Sequence, residues 1–241
     1  MKKFLNVIAA AAVCLFFTMP LSAKSGVDLS YLNSSYTTRL NGADKSTKGE
    51  PMNGFYVGVN NDVMLFAGLS IQPGLYYSYL NSTSSEEAPG FNLTGSYTEH
   101  ALNVPIHIKY TFDLVPAFGV YVFAGPTLSL GLSASDKLSV SGDLLGQHFN
   151  GSVSYNRYSG NVKTNGISDE VVDNTLNQYL PSGKMKRFDV LMGGGVGLNL
   201  LRFITVKGGF DYGLVNRFKD EMADTGVMNR MQFYIALGVR F

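Results

Sequence analysis

Tryptophan is absent from this 241-residue chain, cysteine occurs once, histidine three times, and charged residues make up only 15%. Each scarcity excludes something. The lone Cys14 lies in a segment expected to be removed, so no disulfide supports the remainder. Three histidines without a thiolate make no zinc site of ordinary spacing. Nineteen basic and eighteen acidic residues give neither a basic field for nucleic acid nor an acidic tail. Phosphate-loop, zincin and nucleophile-elbow patterns are missing. No metal, no cofactor and no enzyme activity are expected. What is abundant is glycine (27), phenylalanine (16) and tyrosine (14), a composition that suits β-structure better than a helical or α/β enzyme.

The first residues read as an address. Lys2 and Lys3 precede an apolar run over 4–17, followed by Thr18, Met19, Pro20, Leu21, Ser22 and Ala23, the three regions of a secretory signal peptide. Cleavage is expected after Ala23, leaving 24–241 as one domain. The apolar run is shorter than the ~20 residues of a membrane helix, and Cys14, followed by Leu15, Phe16 and Phe17, sits wrongly for a lipoprotein signal.

The rest alternates with a period of two, the signature of strands. Over 230–241, Met231, Phe233, Ile235, Leu237, Val239 and Phe241 oppose Arg230, Gln232, Tyr234 and Arg240. Phe188, Val190, Met192, Val196 and Leu198 oppose Arg187, Asp189 and a row of glycines; Ile204, Val206, Phe210 and Tyr212 oppose Thr205, Lys207 and Asp211. The same holds over 117–132, 97–112 and 65–80, and more weakly over 27–35 and 54–60. That makes about eight strands. A soluble sandwich would also alternate, so lengths decide. Several stretches exceed the ~9–11 residues that cross a bilayer when tilted. Connections over 36–51, 81–96, 133–186 and 216–229 are long and polar, whereas those near 60–64, 113–116 and Leu201 are tight. The pattern predicts an all-β fold, an eight-stranded antiparallel transmembrane β-barrel with long extracellular loops, 134–186 being the longest, in the outer membrane of a Gram-negative bacterium.

A barrel of eight strands has an interior filled by side chains. Inward parity collects Glu99, His107, Lys109, Arg187, Asp189, Lys207, Asp211, Arg230 and Arg240 as a lumen charge network. The expectation is that Glu99, Asp189 and Asp211 neutralise the cations, since buried charges persist when paired; the alternative is an anion site on Lys109, Arg187, Lys207 and Arg240. Outward aromatics form two girdles, with Tyr110, Phe112, Phe118 and Phe241 at the short turns and Tyr77, Tyr79, Phe188 and Phe233 at the loops. Gly193, Gly194, Gly195 and Gly197 fall inside a strand, where glycine makes room beside bulky neighbours rather than for a dinucleotide. Pro73, Pro105 and Pro126 predict bulges or local breaks in the ladder. His100, with Ser96 and Thr98 on the outward face, is read as a headgroup-level residue in preference to a lipid-esterase site. Asn33, Asn81, Asn92 and Asn150 head N-x-[ST] triplets assigned to turn chemistry. Within the long loop, Ser168, Asp169 and Glu170 ahead of Val171, Val172, Leu176, Tyr179 and Leu180 predict a short capped helix, while Phe149, Tyr155 and Tyr158 compose an adaptable recognition surface.

Six segments carry a resemblance: Gly54-Phe55-Tyr56-Val57-Gly58-Val59, Ile71-Gln72-Pro73-Gly74-Leu75-Tyr76-Tyr77, Leu102-Asn103-Val104-Pro105-Ile106-His107-Ile108-Lys109-Tyr110, Phe123-Ala124-Gly125-Pro126, Phe188-Asp189-Val190 with Gly193-Gly194-Gly195, and Tyr212-Gly213-Leu214. In order and spacing, over most of 27–241, the chain resembles the PorT-like outer-membrane β-barrel family. The resemblance implies a fold and a location and supplies no catalytic set. It also implies that the terminal strand, with Phe233, Ile235, Leu237, Val239 and Phe241, is the signal read by the barrel assembly machinery. The expected function is a structural or surface-interaction role in the envelope, with loops binding a protein or glycan partner. A solute or anion pore, an outer-membrane lipid hydrolase or protease, and an accessory role in secretion are the alternatives. Partners are then outer-membrane lipid and the assembly machinery, without nucleic acid, and the chain is expected to be a monomer.

Overall fold

Lipid offers backbone groups no partner, so an alternating chain that crosses a bilayer must close its sheet on itself. A computed structural model describes residues 24–42, 44–88, 91–115, 117–144, 147–166, 185–201, 203–219, 224 and 226–241. The expected signal peptide and the expected short helix both lie outside the described residues.

Every described element is a strand: β1 (Lys24–Leu40), β2 (Thr47–Lys48), β3 (Met52–Phe66), β4 (Leu69–Ala88), β5 (Phe91–Val115), β6 (Phe118–Leu144), β7 (Gln147–Asn156), β8 (Val162–Asn165), β9 (Phe188–Leu200), β10 (Ile204–Gly213) and β11 (Gly226–Arg240). Eight of them close an antiparallel ring in the order β5-β4-β3-β1-β11-β10-β9-β6, with β6 pairing back to β5. The seam joins β1 to β11 from Gly26↔Arg240 to Leu40↔Gly226, and a backbone pair between Ser25 and Phe241 extends it (3.1 and 2.9 Å). β2 pairs with the top of β1, and β7 and β8 extend the sheet outward from β6.

Three tight turns set one end of the barrel. Ala67 (φ 21°) and Gly68 (φ 81°) join β3 to β4 with positive φ at both turn positions, as a two-residue hairpin requires. The Gly68 carbonyl accepts from Thr111 N at 2.8 Å, and a Cβ there would press on the Thr111 carbonyl. This turn replaces the tight link expected near 60–64, because β3 continues to Phe66. The second link, between Val115 and Phe118, joins β5 to β6, and the third, with Leu201 at φ 52°, joins β9 to β10.

At the other end the strands run further than alternation alone indicated. The stretch 81–96, expected as a long loop, is a hairpin in which β4 and β5 stay paired from Asn81↔Thr98 to Ala88↔Phe91. The expected loop over 134–186 begins as strand, with β6 paired to β7 from Ser135↔Asn156 to Leu144↔Gln147. A five-stranded sheet of β4 to β8 therefore stands above the ring. Three of the asparagines assigned to turns, Asn81, Asn92 and Asn150, belong to strands of this sheet, and the fourth, Asn33, to β1.

The prolines break the ladder without bulging it. Pairing lapses between Pro73↔Ile106 and Tyr76↔Asn103, and between Pro105↔Thr127 and Ile108↔Ala124, then resumes in the same register. A missing N–H removes one rung and shifts nothing. Register does shift at His100/Ala101, where Leu132 is the extra residue of β6. Past it the inward parity of β6 changes from odd to even, so Ala134 is buried and Leu132 is not.

Candidate functional site

The interior is built from one face of each ring strand. Near the short turns, Asp28 of β1 is fully buried and receives Lys207 Nζ (2.7 Å), Arg240 Nη1 (2.6 Å), Asn60 Nδ2 (2.8 Å) and the Tyr76 hydroxyl (2.7 Å). Beside it, Lys109 Nζ meets Asp62 at 2.8 Å, and Gln72 Nε2 donates to the other oxygen of Asp62 at 2.6 Å. Two cations on one carboxylate, with two neutral donors, fill its lone pairs and offset a desolvation cost of several kcal/mol per ion, roughly.

Above this cluster lies an aromatic layer. Tyr56 stacks on Tyr76 with centroids 4.4 Å apart, Tyr234 approaches Tyr56, and Phe123 lies between the rings of His107 and Tyr121. The opposite wall is glycine: a Cβ on Gly197 would overlap the Tyr121 ring, and one on Gly209 the Tyr234 ring. Gly197 of β9 and Gly209 of β10 thus make room for tyrosines, and Gly195 for the Phe123 ring.

A second ion cluster caps the layer on the loop side. Glu99 contacts Arg230, pairs with Arg217 at 3.5 Å, and accepts from the hydroxyls of Tyr36 (2.7 Å), Tyr97 (2.8 Å) and Tyr158 (3.3 Å). Arg217 and Tyr158 come from connections, not strands, yet Arg217 is 1% exposed and donates to the Tyr158 hydroxyl at 3.4 Å. Burial, with Glu99 beside it, holds the Tyr158 phenol above its ordinary value, so it remains a protonated donor. The bridge Met185↔Phe218 and the bond from Lys186 N to the Arg217 carbonyl (2.9 Å) tie the Arg217 connection to the residues before β9, and Met185 N in turn donates to the Arg157 carbonyl (2.8 Å) beside Tyr158. Loops are thus drawn into the lumen and pinned there.

The pairing differs from the one expected. Asp28 and Asp62 neutralise Lys207, Arg240 and Lys109; Glu99 serves Arg230 and Arg217. Asp189 is buried with no hydrogen-bond partner for either oxygen among the described residues, Asp211 accepts from Gln232 Nε2 (2.8 Å), and the His107 ring packs on Phe123. Arg187 sits half-buried at the loop edge, over the Tyr158 ring and donating to the Leu132 carbonyl (3.2 Å). Asp28 was legible in the weak strand over 27–35, where it faces away from Val27, Leu29 and Tyr31. Arg217 and Tyr158 carried no periodic signal. Tyr155 and Tyr158, expected on a recognition surface, are both buried, and the Phe149 side chain lies outside the described residues.

Beyond Glu99 the lumen opens into a cavity of about 920 Å³. Its floor is Tyr36, Tyr97, Met52 and Met228, with the Arg157 guanidinium 4.3 Å over the Tyr97 ring and held by both oxygens of Asp136 (2.6 and 2.7 Å). The outward faces of the same strands are apolar and exposed, Ile235 at 65% and Phe241 at 76%. A closed ring, greasy outside and ionic inside, is matched over residues 21–219 by the model of the outer membrane protein beta-barrel domain. The chain belongs to that family.

As a member of the outer membrane protein beta-barrel domain family, it resides in the Gram-negative outer membrane. No curated protein matches it in sequence. Among solved structures it is similar to the attachment invasion locus protein Ail of Yersinia pestis (10% identity, 92% of this chain and 100% of that one, TM-score 0.43) and to OprG of Pseudomonas aeruginosa (10%, 91% and 96%, 0.43). The protease OmpT of Escherichia coli is similar to the same degree (10%, 92% and 97%, 0.40). These likenesses are ones of fold.

The lipid-facing surface of this family member has the layout such a barrel needs. Phe66, Phe112, Phe203 and Phe241 are exposed at the short-turn end, and Tyr31, Phe55, Phe188 and Phe233 toward the loops. On β11, Phe233, Ile235, Leu237 and Val239 all face outward beside the seam. His100 joins the upper girdle: its Nδ1 is bonded to the Tyr77 hydroxyl (2.5 Å) and its ring meets the edge of Tyr79. Thr98 accepts from Asn81 (3.2 Å), and among the described residues the bond to His100 comes from Tyr77 and from neither Ser96 nor Thr98.

Proposed function

We propose that the protein is a non-enzymatic surface-interaction barrel, PorT-like within its family, whose lumen is a structural plug and whose loop-end cavity receives a partner. The observation that carries this reading is the contrast along one axis. Between Asp28 and Glu99 the interior is filled by paired ions and stacked tyrosines, with a polar vestibule of about 640 Å³ below it at the short turns. Above Glu99, by contrast, the extended β4, β5 and β6, with β1 and β11, line open space of a size that ligand sites occupy. The lumen cations Lys109, Lys207, Arg230 and Arg240 each already have a carboxylate, which weighs against an anion pore. Lipid of the outer membrane solvates the outer face, the assembly machinery takes β11, and the chain works as a monomer. The test is paired: reconstituted protein should show no steady single-channel conductance in planar bilayers, and intact cells should lose surface binding of the partner when 82–88 is replaced by a Gly-Ser turn. Steady conductance would overturn the plug.

A further inference from the structure

The wall of the loop-end cavity has a gap. β3 pairs with β1 only up to Ser34↔Met52 and with β4 only up to Asn53↔Asn81. Above that level β1 is paired to β2, while β4 continues from Ser82 to Ala88 with β5 on one side and no strand on the other among the described residues. That stretch is an unpaired edge, with a row of backbone donors and acceptors facing β2, which continues the line of β3 on β1 but makes no pairing with β4.

The gap opens on the cavity. Across the adjoining wall the inward residues form ordered rows, Glu86 beside Leu93 and Val140, then Ser84 beside Gly95 and Leu138. Glu50 lines the far side, next to β2. Glu50 and Glu86 are exposed and take part in no ion pair among the described residues. Arg157 is committed to Asp136, so among the described lining residues Lys137 is the one other cation, against the carboxylates of Glu50 and Glu86. The first row thus sets one carboxylate beside two apolar side chains, and the second carries no charge.

We propose that this edge binds an extended basic peptide segment of a partner protein, which adds as a strand to residues 82–88 of β4 and directs alternate lysine or arginine side chains toward Glu86 and Glu50. The inference rests on the surface-interaction reading and gives its partner a chemistry. Main-chain bonds supply affinity, and the carboxylates of Glu86 and Glu50 supply selectivity. The edge is seven residues long, so at ~3.3 Å per residue an octapeptide spans it.

The test uses the full mature protein folded in a nonionic detergent, with fluorescence anisotropy of a labelled octapeptide of alternating lysine and valine. Binding should be salt-sensitive, absent for the glutamate–valine analogue, and weakened at least about tenfold in the Glu50→Gln, Glu86→Gln double variant. Asp113→Asn, at the short-turn rim, should leave it unchanged. Backbone geometry is tested by methylating the amides of either all lysines or all valines. Successive residues of a strand direct their N–H groups to opposite edges, so only one of the two methylated peptides should lose binding. Equal effects of both methylations overturn strand addition. Absence of binding by any of these peptides to a non-conducting barrel overturns the basic-strand proposal and leaves the surface-interaction reading standing; steady conductance overturns both.

Discussion

The two ion clusters of the lumen look alike and do different work. Around Asp28 every partner is a strand residue: Lys207 from β10, Arg240 from β11, Asn60 from β3 and Tyr76 from β4. That carboxylate ties together strands on both sides of the seam, so it belongs to the closure of the ring. Around Glu99 two of the partners, Arg217 and Tyr158, arrive from the connections. That carboxylate holds the roof down. A buried charge can therefore serve topology at one end of a barrel and loop order at the other, with an aromatic layer between them.

The sharpest way to break the comparison is Asp28→Ala, which leaves Lys207 and Arg240 buried without their carboxylate. A loss of about 3–5 kcal/mol is expected from breaking a buried pair, read as a fall in the urea midpoint of the barrel folded in lipid vesicles. Moving a charge to the other face of β11 comes next: Ile235→Arg should cost about 2–4 kcal/mol at midplane depth in the same assay, and a neutral result would mean that the faces are reversed. Glu99→Gln should cost less, about 1–3 kcal/mol, because Asp189 remains in electrostatic reach of Arg230 and Arg217. Its signature is local, with faster tryptic cleavage at Arg157 and Arg217 while the ring stays folded. Combined with Asp28→Ala it should be additive to within about 0.5 kcal/mol, since the clusters share no partner. Smallest is Tyr158→Phe, about 0.5–1.5 kcal/mol for one hydrogen bond, measured by the same proteolysis. A larger effect on the urea midpoint than Asp28→Ala would merge the two clusters into one.

These differences also explain what was legible in the sequence. The ring strands announce themselves because lipid and lumen impose opposite chemistry on successive residues, so Ile235 and Tyr234 could hardly be mistaken for each other. Above the membrane that contrast vanishes. Ser82, Thr83, Ser84 and Ser85 have water or a polar cavity on both sides, and a strand of serine and threonine reads as a loop. The extra residue at Leu132 hides Asp136 by the same logic, since parity counted from Phe118 puts it outside. Asp28 needed only a longer stretch of β1 to be seen as inward. Arg217 and Tyr158 had no periodic context at all, because a connection that folds back into a lumen is positioned by the partners waiting there.

The seam between β1 and β11 has a consequence in time. Its paired residues, such as Val27 and Val239, stand at opposite ends of the described chain. Until the last strand arrives, the growing sheet is an open ribbon with two sticky margins, and every neighbour-to-neighbour hairpin formed earlier leaves that liability intact. Asp28 cannot meet Arg240 before then either, so the lower latch snaps shut only at the final step. Folding of this protein should thus look abrupt and late, and the escort that holds the ribbon matters most just before it becomes a ring.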